Sequence, residues 1–381
     1  MEQGLYERFT AKIDSVLADF PTIRGFVGFD GFVDEIIDVV DTRQGVDYYE
    51  RFSTITEYAQ RLLDSAGKSV NIELVSKQSK IGGNGPIMAN SMLSLGMKMT
   101  YIGNLGDTEV EPVFDSLVNK AEAVYTMAKP GHTDALEFND GKIIVGKLDS
   151  LKEVNWQNVI KVLGDETIND LMKESDCIAT VNWTMLSHMN GIWQGLLDKA
   201  VALDLPRKAY IFIDLADPSK RTDDDQREAL DLIQKLDKHF KVVLGLNLKE
   251  AQILSRLYGH SGDCEKVVEQ VQDLAGYLRE QLGLEYVCVH PREFAVSSTS
   301  EGVALGQGPF TAKPKVSTGA GDHFNAGYFT AVLLGFDQDL ALHLGCLNSG
   351  YYVRTGISPS LSQIRDLAVA WKAGDPDGVR K

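Results

Sequence analysis

The chain is short of cysteine. Its four, Cys177, Cys264, Cys288 and Cys346, lie far apart and form no C-x-x-C pair, which excludes a zinc ribbon and a disulfide scaffold and makes the cytoplasm the expected compartment. Positive charge is scarce as well: 38 Lys and Arg stand against 54 Asp and Glu, a formal net charge of -16, and the pI is near 4.9. That balance argues against a nucleic-acid or anionic-membrane partner, yet a local positive pocket for phosphate is compatible with it. Long apolar runs are missing; stretches such as "YFTAVLLGF" fall far below the roughly 20 residues of a membrane helix. The first residues, "MEQGLYERFTAKID", mix charge with apolar side chains and show no targeting pattern. The seven histidines have no metal-ligand spacing, and neither repeats nor low-complexity linkers occur. What is present is 44% hydrophobic content over 381 residues, ample for a large core and typical of a protein that handles small molecules.

Periodicity organises that content. Tyr6, Phe9, Ile13, Val16, Leu17 and Phe20 recur at helical spacing until Pro21, and the apolar "GFVGF" that follows reads as a first strand ending at Asp30. "STITEYAQRLLDSAGK" is amphipathic, and "IGGNGPIMANSMLSLGMKMTYIGNLGD" reads as turn, helix, strand and turn. Further strands are expected at "CIATVNW", "AYIFIDLAD", "KVVLGLN" and "EYVCVH", most of them separated by helical stretches. This alternation predicts a parallel sheet with helices on both faces. "LEFNDGKIIVGKL" breaks the pattern, because "NDG" between β-prone runs predicts a hairpin standing apart as a flap.

Two phosphate motifs fail. "LDSAGKS" lacks the first glycine of a P-loop, having Leu62 there, and reads as a helix end. "GAGDHF" has Phe324 at the third glycine of a dinucleotide fingerprint and sits far from the first strand. There remains "STGAGDHFNAGYFTAVLLG", where Gly319, Ala320 and Gly321 expose backbone amides at a helix start suited to an anion. Asp322 places a negative charge where phosphate would sit, which makes sense if it accepts a proton from the group attacking that phosphate. The competing reading is a packing turn with Asp322 as helix cap. In "GLNLKEAQIL", Asn247 and Glu250 follow a strand and can offer oxygens to hydrated Mg²⁺, or else form a capping box. "GFDGFVDEI" carries Asp30 and Asp34, acids suited to sugar hydroxyls, and "IGGNGP" adds bare backbone and the Asn84 amide.

Together these blocks resemble the ribokinase, or PfkB, family of sugar and nucleoside kinases over nearly the whole chain. "IGGNGPIMANSMLSLGMKMTYIGNLGD" is similar to its glycine-pair signature, "NLKE" to its N-x-x-E motif and "STGAGDHFNAGYFTAVLLG" to its C-terminal signature. The resemblance implies a single domain over 1–381, a three-layer α/β/α sandwich with a central, mostly parallel sheet and a small β-rich lid from segments near 34–50, 70–80 and 131–148. It implies transfer of the terminal phosphoryl of ATP to a hydroxymethyl group of a sugar or sugar derivative, with Mg²⁺. Asp322 would be the general base and the Gly319, Ala320 and Gly321 amides the anion hole. Asn247 and Glu250 would organise the metal through water; Asp34, Asp30, Gly82, Gly83 and Asn84 would line the acceptor pocket. Thr318, His290 and Asn348 would touch the nucleotide. Lid segments in the family often pair two subunits, and a hairpin leaves edges to pair, so a homodimer through the lid is implied too.

The chain departs from the pattern at several places. Ile87 stands where the glycine-pair signature usually has Asn, with Asn84 or Asn90 as substitutes. His290 and Arg292 stand where the family tends to have a glycine-rich turn. Val316 replaces an acid that in many members holds a monovalent cation, so turnover is expected to be indifferent to K⁺. "GGNGPIMAN" also resembles the ADP-dependent branch, although "YIFIDLADPSKR" has no H-x-E element. Other readings are a nucleoside kinase, with Phe29, Phe32 or Trp183 stacking on a base, and a catalytically silent sugar-binding protein.

Overall fold

The structure is a computed structural model and describes residues 1–380. Its strands, in chain order, are β1 (Arg24–Phe29), β2 (Phe32–Arg43), β3 (Tyr49–Arg51), β4 (Leu74–Gly82), β5 (Lys98–Gly103), β6 (Ala123–Thr126) and β7 (Gly131–Phe138). They continue as β8 (Gly141–Lys147), β9 (Cys177–Thr180), β10 (Tyr210–Asp214), β11 (Lys241–Leu246), β12 (Tyr286–Val289), β13 (Phe294–Thr299) and β14 (Gly302–Gln307). Nine of them form one sheet in the order β14-β13-β12-β11-β10-β9-β1-β5-β6.

From β12 to β6 every pairing is parallel, and neighbouring residues within each strand divide between two cores. Phe26, Ile178, Ile211, Val242 and Val287 enter one core, which takes in the helices Trp156–Glu174, Met189–Ala202, Asp223–Leu236 and Val268–Leu282. Val27, Ala179, Phe212, Val243 and Cys288 enter the other, with Gln3–Ala18, Asn84–Ser94, Ala320–Leu333, Gln338–Thr355 and Leu361–Lys372. A strand buried on both faces needs apolar residues at every position, which is why these strands read as continuous apolar runs. The result is the three-layer sandwich. The antiparallel pair β13–β14 extends one edge; the sequence reading stopped at β12 and did not place it.

The second sheet runs β3-β2-β7-β8, with β4 paired to β2. β7 and β8 are the hairpin of the "NDG" turn, paired antiparallel from His132 with Lys147 to Phe138 with Gly141. Its organising strand is the twelve-residue β2, parallel to β7 and antiparallel to β4; residue pattern alone suggests a polar turn with two acids there, whereas the family resemblance assigns segments near 34–50 and 70–80 to the lid. One face has a small core of its own, Ile37, Val39, Phe52, Leu136 and Phe138. The helix Ile55–Asp64 packs there through Tyr58, whose ring lies 5.6 Å from those of Phe52 and Phe138. That helix starts at a Thr54–Glu57 capping box and ends at Asp64, so "LDSAGKS" is a helix end.

Among the described residues no helix is long and apolar enough to cross a membrane.

Candidate active site

The polar residues collect at the C-terminal ends of the parallel strands. Asp30 follows β1, Asn182 follows β9, Asp214 ends β10, Asn247 follows β11 and His290 follows β12. This is the edge at which open α/β sheets hold ligands. Opposite it lie two glycine turns, each opening a helix.

The second turn begins the helix Ala320–Leu333, whose N-cap is Gly319 at φ 86°, a conformation glycine adopts without the Cβ penalty. The N-cap position is Gly319 and Asp322 lies inside the first turn, so Asp322 is not the helix cap. Its carboxylate is 9% exposed, and Oδ1 accepts a hydrogen bond from Asn84 Nδ2 at 2.7 Å. Burial raises its pKa to about 7, against the lowering effect of Asn84, and the charge of Asp30 raises it further. A carboxylate that titrates near neutrality suits general base work. Of the three amides predicted as an anion hole, that of Ala320 donates to Ser317 O at 3.2 Å. The Gly319 and Gly321 amides are the ones left at the open helix end.

Both flanks of this turn are fastened. Tyr352 Oη donates to Thr318 O at 3.0 Å, while the Thr318 side chain is exposed. The ring of His323 bonds Gly319 O through Nδ1 at 2.8 Å and Ser358 Oγ through Nε2 at 2.9 Å. It also stacks on Tyr352 with centroids 3.6 Å apart, and burial keeps it neutral with a pKa of about 4.

The first turn is built differently. Asp30 is 0% exposed and accepts from Asn84 N at 3.0 Å, Gly85 N at 2.8 Å and Asn182 Nδ2 at 2.7 Å. Predicted to line the acceptor pocket, it is instead sealed beneath the helix Asn84–Ser94. The glycines make room for the acids: a Cβ on Gly85 would lie 2.5 Å from Asp30 Oδ1, and one on Gly82 would lie 2.5 Å from Asp34 Oδ1. Asp34 itself is only partly buried; burial raises its pKa, opposed by Lys80 and a bond from Thr133. Tyr352 is pushed up to about 12, mainly by burial and then by the charges of Asp322 and Asp34.

Asn247 and Glu250 form the capping box: Asn247 Oδ1 accepts from Glu250 N at 3.0 Å, and Glu250 Oε2 accepts from Asn247 N at 2.8 Å. Glu250 Oε1 also accepts from Asp217 N at 3.1 Å. Capping and metal binding are therefore compatible only through remaining lone pairs. Asp214, which sequence reasoning missed, accepts from Ala216 N and Asn325 Nδ2, both at 2.8 Å. Its pKa is driven well up by burial and then by the charges of Glu250 and Asp322; Glu250 is raised mainly by burial. These acids feel one another's charge, but among the described residues their oxygens do not gather into a direct ligand cluster, so a hydrated cation would be held there through its own water shell. An acid at the end of "YIFID" was the available signal. A separate group, Glu35, His132 and Asp134, lies on the small sheet, where Lys147 Nζ pairs with Asp134 at 2.9 Å.

From the Gly321 turn a groove of about 340 Å³ runs past Asn247, His290, Arg292, Phe310 and Phe324. The His290 ring lies against Phe324, centroids 4.6 Å apart, and burial holds it neutral with a pKa of about 4. Asn348, predicted to touch nucleotide, is fully buried and donates to Ser91 Oγ at 2.9 Å and His323 O at 2.5 Å. It joins helices, and its neighbours Ser349 and Gly350 face the groove instead.

Known proteins share this fold. A solved Arabidopsis thaliana ribokinase complexed with ribose and ATP superimposes with a TM-score of 0.61 at 15% identity, over 92% of this chain and 99% of that one. A probable sugar kinase from Rhizobium etli does so at 0.62 and 16%, over 93% and 98%. The ketohexokinase of Haloferax volcanii is 28% identical over 348 residues, covering 91% of this chain and 90% of that protein. The model of the prokaryotic ketohexokinase family matches residues 8–371; the chain is a carbohydrate kinase of the ribokinase fold and belongs to that family.

Proposed function

We propose that the chain transfers the terminal phosphoryl group of ATP to a hydroxymethyl group of a ketohexose. The observation that carries this reading is the buried Asp322 carboxylate, near-neutral in pKa, in the first turn of the Gly319-capped helix whose Ala320 and Gly321 line one end of the groove. Asp322 takes the hydroxyl proton as the oxygen attacks, and the Gly319 and Gly321 amides hold the migrating phosphoryl oxygens as charge spreads over them. The nucleotide lies along the groove, with Arg292 as its cationic contact in an otherwise acidic protein. Asp34, beside Gly82 and Gly83, grips the sugar hydroxyls. Asp214 and Glu250, with Asn247, would hold hydrated Mg²⁺, which when bound neutralises phosphate charge. The small sheet acts as a lid over the sugar, and its edges offer the surface for a dimer.

A nucleoside acceptor fits less well. Phe29, Phe32 and Trp183 are 0%, 6% and 1% exposed, and Trp183 is tied to Asn190 by a 2.7 Å bond and covered by Arg221. None of them presents a face to a base. The test is turnover of purified protein with Mg²⁺ over a panel of ketohexoses, aldopentoses and adenosine, each with ATP or ADP as donor. The expected result is a ketohexose with ATP ahead of all other pairs by at least about tenfold in kcat/KM, a discrimination that hydrogen-bonded sites readily reach. Faster turnover of a nucleoside, or of any sugar with ADP, overturns the reading.

A further inference from the structure

Asn84 occupies an unusual place for a sugar contact. It is the first residue of the helix Asn84–Ser94, its backbone N–H is held by Asp30 at 3.0 Å, and its side-chain amide reaches across to Asp322, 238 residues away in sequence, at 2.7 Å. An ionised carboxylate only accepts, so the amide must present its NH₂ group there, and one of its N–H bonds is committed. The main chain behind it cannot shift freely. Asp30 is anchored from three sides, by Asn84 N, Gly85 N and Asn182 Nδ2, and its own carbonyl takes a bond from the buried Tyr101 hydroxyl. Asn182 sits at φ 64°, in the left-handed region, where asparagine is better tolerated than most residues.

We propose that Asn84 is the positioning residue of the general base: its amide fixes Asp322 by Oδ1 and leaves Oδ2 to take the acceptor proton. The inference rests on Asp322 being that base. Asp30 and Asn182 act one step further back, holding the helix end from which Asn84 projects. The titratable groups around Asp322 are Asp30, Glu250, Asp214 and Tyr352, with neutral His290 beneath Gly321. The acids all push its proton affinity up, and Asn84 is the side chain that pulls it down. Losing Asn84 therefore raises the pKa of the base. Because the base must be ionised to act, the acid limb of the turnover profile then moves to higher pH.

The experiment compares Asn84→Ala and Asn84→Asp with the wild type for kcat, ketohexose KM and the pH dependence of kcat. Expected for Asn84→Ala are a kcat lower by about 10- to 100-fold, as for a misplaced catalytic group, a KM within about threefold, and an acid limb displaced upward by about one pH unit. Asn84→Asp sets a second carboxylate against Asp322 and moves the limb further in the same direction. A KM raised tenfold or more with kcat preserved makes Asn84 a sugar contact and overturns the proposal. So does a lower kcat with the limb unmoved, which marks a merely structural role. Ketohexose binding and thermal unfolding of both variants separate misfolding from misplacement: a folded, sugar-binding Asn84→Ala with wild-type kcat also refutes it. Near-normal turnover of Asp322→Asn removes the base itself, a failure distinct from any of these.

Discussion

Two glycine turns face each other across the site, and each opens a helix toward the same space. At Gly82–Gly85 the helix end is already filled: the buried carboxylate of Asp30 satisfies two of its amides. At Gly319–Gly321 no protein carboxylate caps the helix, and Asp322 is turned aside toward Asn84. The first turn carries its anion as part of the chain, so its positive end contributes to rigidity. In the proposed reaction the second keeps its positive end for the phosphoryl group. Glycine-rich sequence at a helix start thus signals an anion in both cases, and only the three-dimensional neighbourhood tells whether the anion is resident or visiting.

Removing the acid at the open turn has the largest expected effect. Asp322→Asn keeps the fold and ligand binding but lowers kcat by about 10² to 10⁴. Wild-type turnover falls as pH drops through about 7, where Asp322 takes up its proton, and the residual activity of the variant loses that limb. A pH–rate series on both proteins checks this, and equal turnover dissolves the contrast. Removing the acid at the filled turn acts on stability instead: Asp30→Ala leaves three buried donors without an acceptor and costs about 3 kcal/mol or more, read from denaturant unfolding. An unchanged midpoint would mean that the first turn is not structurally filled.

Metal dependence follows. Glu250→Gln raises the Mg²⁺ concentration needed for half-maximal turnover more than it raises ketohexose KM, because its carboxylate lies with Asp214. Unchanged Mg²⁺ dependence with weakened sugar binding reverses that assignment. The smallest effect concerns monovalent ions. Replacing K⁺ by a bulky organic cation at constant ionic strength is expected to leave turnover nearly unaltered. Val316 offers no side-chain oxygen, Thr318 O is taken by Tyr352 and Gly319 O by His323. Thr355 O is taken by Lys315 Nζ at 2.9 Å. Strong, saturable K⁺ activation would show that the open turn is ordered by another route.

Much of the fold was legible because each parallel strand is short, apolar and bounded by helices, so local pattern and final environment agree. β2 and β4 were legible only through the family resemblance, since their own mixture of polar and aliphatic residues acquires meaning only from the pairing of the two strands. The site divides in the same way. Asp322 and the glycines announce themselves by type and spacing, whereas Asp214 matters through two other acids brought beside it from distant segments. Asn348 shows the converse: its residue type suits a ligand, but helix rotation turns it onto Ser91 and the His323 carbonyl. Orientation about a helix axis is decided by packing.

The private core of the small sheet has a mechanical consequence. Ile37, Val39, Phe52, Leu136 and Phe138 pack with the helix Ile55–Asp64 and not with either main core, so the outer part of the sheet holds itself together, while Phe32 and Val33 at the start of β2 belong to the two main cores. Its attachments to the sandwich include the Asp30–Gly31 step before β2 and the Gly82–Gly83 step after β4. Those two steps border the carboxylate that holds Asn84, so the base of the small sheet is joined through one buried acid to the amide that bonds Asp322.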